Sequence, residues 1–139
     1  MGWFSYEPKI YKTIGKAKLE RVLNRLAPDP DSYVHCSDRK YYLIEDRAEF
    51  MAKYSPRNFV YKKDDNDCDD AVRIFRGNAS DAEHGNVVAM DCIVRREGRK
   101  GTHGCIAFLN DTEDGLVYGE PQNGKIKDYN VTKIERLIA

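Results

Sequence analysis

Apolar residues in the first half of the chain recur at helical spacing, with one short strand pattern between them. Residues 9–26 carry apolar side chains on one side of a predicted helix, and the two prolines within residues 27–31 end that pattern. Residues 41–44 predict a short strand. Asp46 then predicts the cap of a second helix, because short acidic side chains accept hydrogen bonds from the free amides at a helix start.

From residue 86 onward the pattern changes to strands separated by glycine-containing turns. The predicted strands cover residues 86–95, 102–110, 116–120 and 125–129. Asp114-Gly115 is typical of a two-residue hairpin turn and would place residues 110–111 opposite residues 114–115. The last apolar positions predict a C-terminal helix; they are Val131, Ile134, Leu137 and Ile138.

This order of elements predicts an α+β fold, because helices come first and an antiparallel meander follows them. A chain of 139 residues is long enough to bury one core, so we expect a single domain spanning residues 1–139, with residues 1–30 as a helical extension.

The most informative residue is Cys68, which lies inside the acidic run at residues 64–70. Apolar residues follow the run directly, so the aspartates predict a helix start there and a helix end near Gly77. A thiolate is stabilised in the first turn of a helix, whereas nearby carboxylates oppose it. A nucleophilic Cys68 therefore requires a positive charge near the aspartates, and a bound cation is the obvious candidate.

Charge and cysteine content narrow the class of protein. The 23 basic and 23 acidic residues are interspersed, which argues against a nucleic-acid or membrane-surface protein. We find no apolar stretch long enough to cross a bilayer and no signal peptide at the N-terminus. Four cysteines without an export signal predict free thiols in a reducing compartment, so a cytoplasmic location is expected. A phage-encoded protein released by lysis or packed into a particle would have the same features.

A cysteine nucleophile needs a base and a group that orients the base, and His103 and Glu120 are the candidates. His103 opens a predicted strand and is followed by small residues, which leave room for another side chain beside the ring. Glu120 ends the strand predicted to pair with it, so the two side chains are expected at the same end of the sheet. His35 and His84 lie in polar connecting stretches, where exposed histidines are common.

Three short segments resemble the motifs of a papain-like cysteine-protease family, whose best-known member is the C-terminal domain of a fairy-ring mushroom agglutinin. They are Asp-Cys-Asp-Asp-x-Val at residues 67–72, Gly-x-His-Gly at residues 101–104 and Glu-Pro-Gln-x-Gly at residues 120–124. The resemblance covers roughly residues 33–128, and related small domains occur in bacterial and phage proteins. It implies a papain-like core in which a nucleophile-bearing helix packs on the meander.

The resemblance also assigns residues to roles. It implies that Cys68 is the nucleophile, His103 the base and Glu120 the third member of the triad. It further implies a calcium site with Asp69 and Asp70 as ligands and Gln122 as an additional candidate, which would supply the cation required near Cys68. One departure is Gly104, where a slightly larger small residue is usual.

Other metal sites do not fit the sequence. An EF-hand loop starting at Asp65 would need glycine and glutamate where Asp70 and Arg76 stand. Paired ligands with structural zinc spacing are missing from the sequence. An oxyanion donor is expected from the Cys68 amide, and the stretch upstream offers only Asn58 and Tyr61 as a second one. The acidic run could also be a solvated helix cap without calcium.

The sequence thus predicts a papain-like thiol hydrolase that acts on a peptide or isopeptide bond of a peptide or protein substrate. An acyltransferase would use the same triad. The alternative from another class is a catalytically inactive binding module or a structural component of a phage particle, which keeps the fold without the chemistry. No nucleic-acid or membrane partner is expected, and neither the substrate nor the oligomeric state follows from the sequence.

Overall fold

The computed structural model describes residues 6–63 and 67–139 of the chain and has an α+β architecture. The described residues form three helices and eight strands. In chain order these are β1 (Ile10–Gly15), α1 (Lys16–Leu26), β2 (Tyr33–His35), β3 (Lys40–Ile44), α2 (Arg47–Tyr54), α3 (Cys68–Asp81), β4 (Met90–Arg96), β5 (His103–Leu109), β6 (Leu116–Glu120), β7 (Lys125–Lys127) and β8 (Val131–Ile138). None of these helices is long and apolar enough to cross a membrane.

Six strands form the main sheet, in the order β2-β8-β4-β5-β6-β7. The four strands β4 to β7 are an antiparallel meander, as the sequence predicted. β8 lies between β2 and β4, parallel to the first and antiparallel to the second. β1 and β3 pair antiparallel in a separate two-stranded sheet.

The predicted C-terminal helix is wrong, because residues 131–138 form β8 inside the main sheet. Two irregularities interrupt its pairing with β4, one at Thr132 and one at Glu135. Each β-bulge adds one residue to a two-residue repeat, so Val131, Ile134 and Leu137 come three residues apart although they lie on a strand. This spacing imitates a helix in the sequence.

The single predicted helix over residues 9–26 is also wrong in its first part. Residues 10–15 form β1, which pairs with β3, and α1 begins only at Lys16. Pairing with a distant strand outweighs the local helical pattern, which persists only where Leu19, Val22 and Leu23 are buried. The helix that starts at Cys68 continues to Asp81, one turn beyond the predicted end near Gly77.

The hairpin between β5 and β6 has the expected register but a different turn. The Asn110 N–H donates to the Gly115 carbonyl at 3.0 Å, and Leu109 pairs with Leu116. The connection is a four-residue loop at residues 111–114, in which Glu113 adopts a positive φ of 54°. The Asp114-Gly115 pair therefore does not form a two-residue turn, yet the pairing of the two strands is unchanged.

Strand β5 is buried on both faces, which places it at the centre of the domain. Cys105 and Ala107 belong to a core shared with α1, whereas Ile106 and Phe108 belong to a second core shared with α2 and α3. The helix that carries Cys68 is thus packed against the strand that His103 begins.

Candidate active site

The N-terminus of α3 places Cys68 in the first turn through a capping box. The Asp67 carboxylate accepts hydrogen bonds from the amides of Asp69 at 3.1 Å and Asp70 at 3.4 Å. The Asp70 carboxylate accepts from the Asp67 amide at 3.0 Å. These reciprocal bonds define where the helix begins. The Cys68 amide is not used by the capping box and points along a helix N-terminus, where it can donate to a developing negative charge.

The thiol of Cys68 lies against the start of β5. The Gly104 N–H donates a hydrogen bond to the Cys68 Sγ at 3.3 Å. A Cβ at position 104 would lie 2.9 Å from the Asp69 Oδ1 and 3.5 Å from the Cys68 Sγ. Glycine at this position therefore allows the strand and the helix N-terminus to approach closely.

His103 and Glu120 lie together where β5 begins and β6 ends. The His103 Nε2 is 2.6 Å from the Glu120 Oε1, and both side chains are largely buried. The strand register produces this proximity, because Ile106 pairs with Gly119 and the next residues toward the same edge are Cys105 and Glu120. The carboxylate used by His103 is therefore the one expected from the sequence.

The protonation of this pair is set by its contacts. Burial alone would lower the pKa of His103, but hydrogen bonds with Cys68 and Glu120 and the Glu120 charge outweigh it and raise the pKa to about 9. Burial opposes ionisation of Glu120, but its bonds with His103 and Tyr129 outweigh this and lower its pKa. Since Glu120 holds the Nε2 of the ring, the Nδ1 is left for the Cys68 thiol. At neutral pH the ring carries a proton, in position to give it to a leaving group.

Tyr129 is a residue of this site that the sequence did not indicate. Its hydroxyl donates to the Glu120 Oε1 at 2.6 Å, the same oxygen that contacts His103. Its ring lies edge-on to the His103 ring at 5.4 Å between centroids, and the Arg96 guanidinium lies over the Tyr129 ring at 5.3 Å from its centroid. Tyr129 follows β7 in an irregular segment, where a single aromatic residue gives no motif that could have identified it.

We expect Tyr129→Phe to destabilise the protein by about 1–3 kcal/mol at neutral pH, because it removes a hydrogen bond from a buried carboxylate. The Glu120 pKa is lowered on folding, so the stability it contributes is present above its ordinary value and lost as the pH falls. The gap between wild type and variant should accordingly narrow in acid. Urea unfolding at neutral pH and near pH 4 measures this, with Tyr33→Phe on the exposed strand β2 as control. A gap that does not change with pH would contradict the role of Tyr129 on Glu120.

The three candidate calcium ligands are not gathered into one site. The Asp70 carboxylate is occupied by the Asp67 amide and by Arg73, whereas Asp69 is exposed. Gln122 donates its backbone N–H to the Glu120 Oε2 at 3.2 Å, and it lines a different groove from Asp69. Across residues 6–63 and 67–139, no group of three or more His, Cys, Asp or Glu side chains is placed to hold a metal ion. Asp64 and Asp65 lie outside the described residues.

The remaining cysteines, all within the described part of the chain, are fully buried. Cys92 and Cys105 face each other across β4 and β5, and their mutual hydrogen bond and burial raise the pKa of Cys105 well above its ordinary value. Burial also raises the pKa of Cys36, to about 11. Cys68 is the one cysteine that is partly exposed. The thiol chemistry available to a substrate is therefore that of Cys68.

A second oxyanion donor is not established by the upstream residues. Asn58 adopts a positive φ of 55°, and Tyr61 is 55% exposed. Both lie in the exposed segment that precedes the undescribed residues 64–66. The Cys68 amide is the donor that the described geometry supplies.

Comparison with known proteins gives similarity of fold. No protein family and no curated protein matches this sequence. Among solved structures, the PSL1a-E64 complex is similar, with a TM-score of 0.69 and 18% sequence identity over 91% of this chain and 51% of that chain. The chain thus spans about half the length of that structure. At this level of identity the similarity supports the α+β fold alone.

Proposed function

We propose that this protein is a thiol hydrolase of papain-like type that cleaves a peptide or isopeptide bond. The observation that carries the proposal is the buried contact of 2.6 Å between the His103 Nε2 and the Glu120 Oε1, next to the partly exposed Cys68 thiol. A carboxylate that holds one ring nitrogen fixes the tautomer and leaves the other nitrogen for the nucleophile.

The proposed reaction proceeds in two steps. With its proton held by His103, the Cys68 sulfur attacks the substrate carbonyl carbon to form a tetrahedral oxyanion, to which the Cys68 amide donates. The C–N bond then breaks, His103 gives its proton to the leaving amine, and a thioester remains on Cys68. In the second step His103 removes a proton from water, and the hydroxide adds to the thioester. The C–S bond then breaks to release a carboxylic acid, and the proton taken from water stays on His103 beside the freed Cys68 sulfur, as at the start of the reaction.

Two properties of the site support this chemistry. The pKa of His103 near 9 keeps a proton on the ring at neutral pH, ready for the leaving amine. The Gly104 N–H and the helix N-terminus both favour negative charge on the Cys68 sulfur. In addition, the structurally similar protein was solved with E64, a protease inhibitor, which makes E64 a suitable probe for this chain.

We expect E64 to label Cys68 selectively, with one inhibitor bound per chain and no labelling of the three buried cysteines. Mass spectrometry of the intact protein and of its peptides measures the stoichiometry and the site, and Cys68→Ala is expected to abolish labelling without changing the melting temperature. Cys36→Ala serves as the control and should leave labelling intact. A Cys68 that is no more reactive than the buried thiols would instead support the inactive binding or particle-structural module.

Calcium dependence belongs to this proposal as a separate element. Asp69 is the described carboxylate that is free to contribute, together with the acidic residues outside the described part. A melting temperature that rises with Ca²⁺ in the wild type but not in Asp69→Asn would support a calcium site. An unchanged melting temperature would leave the acidic run as a helix cap, which the capping box of Asp67 and Asp70 already forms.

A further inference from the structure

A groove of about 640 Å³ runs along α3, starting one residue after the proposed nucleophile. Its α3 wall is formed by residues on one helical face, namely Asp69, Val72, Arg73, Arg76, Gly77 and Ser80. The opposite wall includes Asp91 of β4 and Arg136 and Ile138 of β8. Three guanidinium groups and two carboxylates therefore line this groove.

Two of the three arginines are already neutralised by carboxylates. Arg73 pairs with Asp70, and the Arg136 Nη2 contacts both oxygens of Asp91 at 2.9 and 3.0 Å. Arg76 differs from them. Its Nη1 donates to the Ile138 carbonyl, but within residues 6–63 and 67–139 no carboxylate lies within ion-pair distance of it.

The environment of Arg76 makes its unpaired charge unusual. The side chain is only partly exposed, and burial lowers its pKa while the charge of Asp91 acts against this at longer range. The neighbouring Arg136 Nε is buried without a hydrogen-bond partner. A desolvated guanidinium without a counter-ion is costly, and its planar array of donors matches a carboxylate. Among the described residues, Arg76 thus brings a positive charge without a counter-ion to this groove, beside Arg136.

We infer that Arg76, supported by Arg136, binds a carboxylate of the substrate, so that the hydrolase prefers peptides with an acidic residue. This inference rests on the proposed function for the identity of the substrate. Arg76 follows Cys68 by eight residues, which is about 12 Å along a helix axis. An extended peptide covers that distance in about three to four residues. Asp69 at the near end of the groove repels acidic side chains, which leaves the far end for the carboxylate.

Binding can be tested separately from catalysis by using the full-length Cys68→Ala protein. The probes are two capped peptides of alanine, glycine and serine, one with a single glutamate and its twin with glutamine. In ¹H–¹⁵N spectra the glutamate peptide is expected to shift the arginine Nε–H signals and the amides of Gly77 and Gly85, which line the groove. The glutamine peptide should shift them much less.

Matched variants identify the arginine responsible. Arg76→Gln should weaken binding of the glutamate peptide about tenfold or more, as expected for a lost charge-assisted hydrogen bond. Arg73→Gln removes the same charge one turn away, and it should change affinity by less than about twofold because Arg73 is exposed and paired. Arg76→Lys keeps the charge, and this variant is measured in place of Arg76→Gln if the glutamine variant melts at a much lower temperature than the wild type.

Several results would overturn the inference. They are equal binding of the two peptides, an unchanged affinity in Arg76→Gln, or shifts produced by inorganic phosphate but not by the glutamate peptide. Binding in the Cys68→Ala protein does not depend on catalysis. If E64 labelling fails while the glutamate peptide still binds, the proposed hydrolase activity is rejected and the carboxylate site is not. For an active enzyme, cleavage of a degenerate peptide library should show Asp or Glu enriched about three to four residues from the cut, and the lack of such enrichment would reject the substrate preference.

Discussion

His103→Ala is expected to lower hydrolysis of an unfolded protein such as casein by about 10²–10⁴-fold, the contribution typical of a general acid–base residue. Among the described residues, the His103 ring is the group that contacts both the Glu120 carboxylate and the Cys68 thiol. In the proposed reaction, loss of the ring leaves the Cys68 thiol without a proton acceptor and the leaving amine without a proton donor. Initial rates of peptide release measure the loss.

His35→Ala is the matched control for this variant. His35 is exposed on β2, at the opposite end of the strand order from β6 and β7, and its replacement should leave the rate unchanged. Equal rates for wild type and His103→Ala would reject the triad, provided that both proteins give the same circular dichroism spectrum.

The pH profile gives an independent readout of the same ring. The pKa of His103 is raised, so its stabilising contribution is present in full below its ordinary value of 6.5 and is lost as the pH rises through about 9. The rate should fall over the same alkaline range, because the leaving amine then receives no proton from the ring. Glu120→Gln removes a charge that raises the His103 pKa, so the alkaline limb should move to lower pH. An unchanged limb in Glu120→Gln would contradict the role of Glu120.

Gly119→Ala is expected to destabilise the fold by about 1–3 kcal/mol or more, the cost of overpacking a close-packed core. An added Cβ would lie 2.4 Å from the Met51 Sδ, 2.7 Å from its Cγ and 2.8 Å from its Cε. Met51 is fully buried on α2, so its side chain has little room to move. Urea unfolding measures the change in midpoint. Activity should also fall, since Glu120 is the next residue.

Two further variants show whether the contact with Met51 causes the destabilisation expected for Gly119→Ala. Gly77→Ala is the control, because in the described part of the chain no atom outside the adjoining residues and the backbone of its own helix lies within 4 Å of the added Cβ, and the residue is in the interior of α3. It should stabilise the protein by about 0.5–1 kcal/mol. Gly119→Ala should also cost less in a Met51→Ala background than in the wild type. Equal costs in both backgrounds would show that the clash is not responsible.

Much of the candidate site could be predicted because its signals are local. The acidic run specified a helix start, and the capping box of Asp67 and Asp70 places Cys68 in the first turn. Apolar runs bounded by turn residues predicted β5 and β6, and their register brings His103 to Glu120. The predicted calcium ligands depend on contacts between distant segments, since Gln122 and the aspartates come from different turns. Calcium binding stays a prediction.

Helix α3 and the strands that carry His103 and Glu120 were determined by the sequence itself, because helix caps and apolar runs between turn residues act over a few neighbouring residues. The strand identity of residues 131–138 was decided by the tertiary structure, since two bulges against β4 give its apolar residues a helix-like spacing. Residues 10–15 became a strand for a similar reason, through pairing with β3. Tyr129 reaches Glu120, and Arg76 reaches β8, only in the folded chain. Contacts between distant segments depend on the packing of whole elements, which no local pattern of residues records.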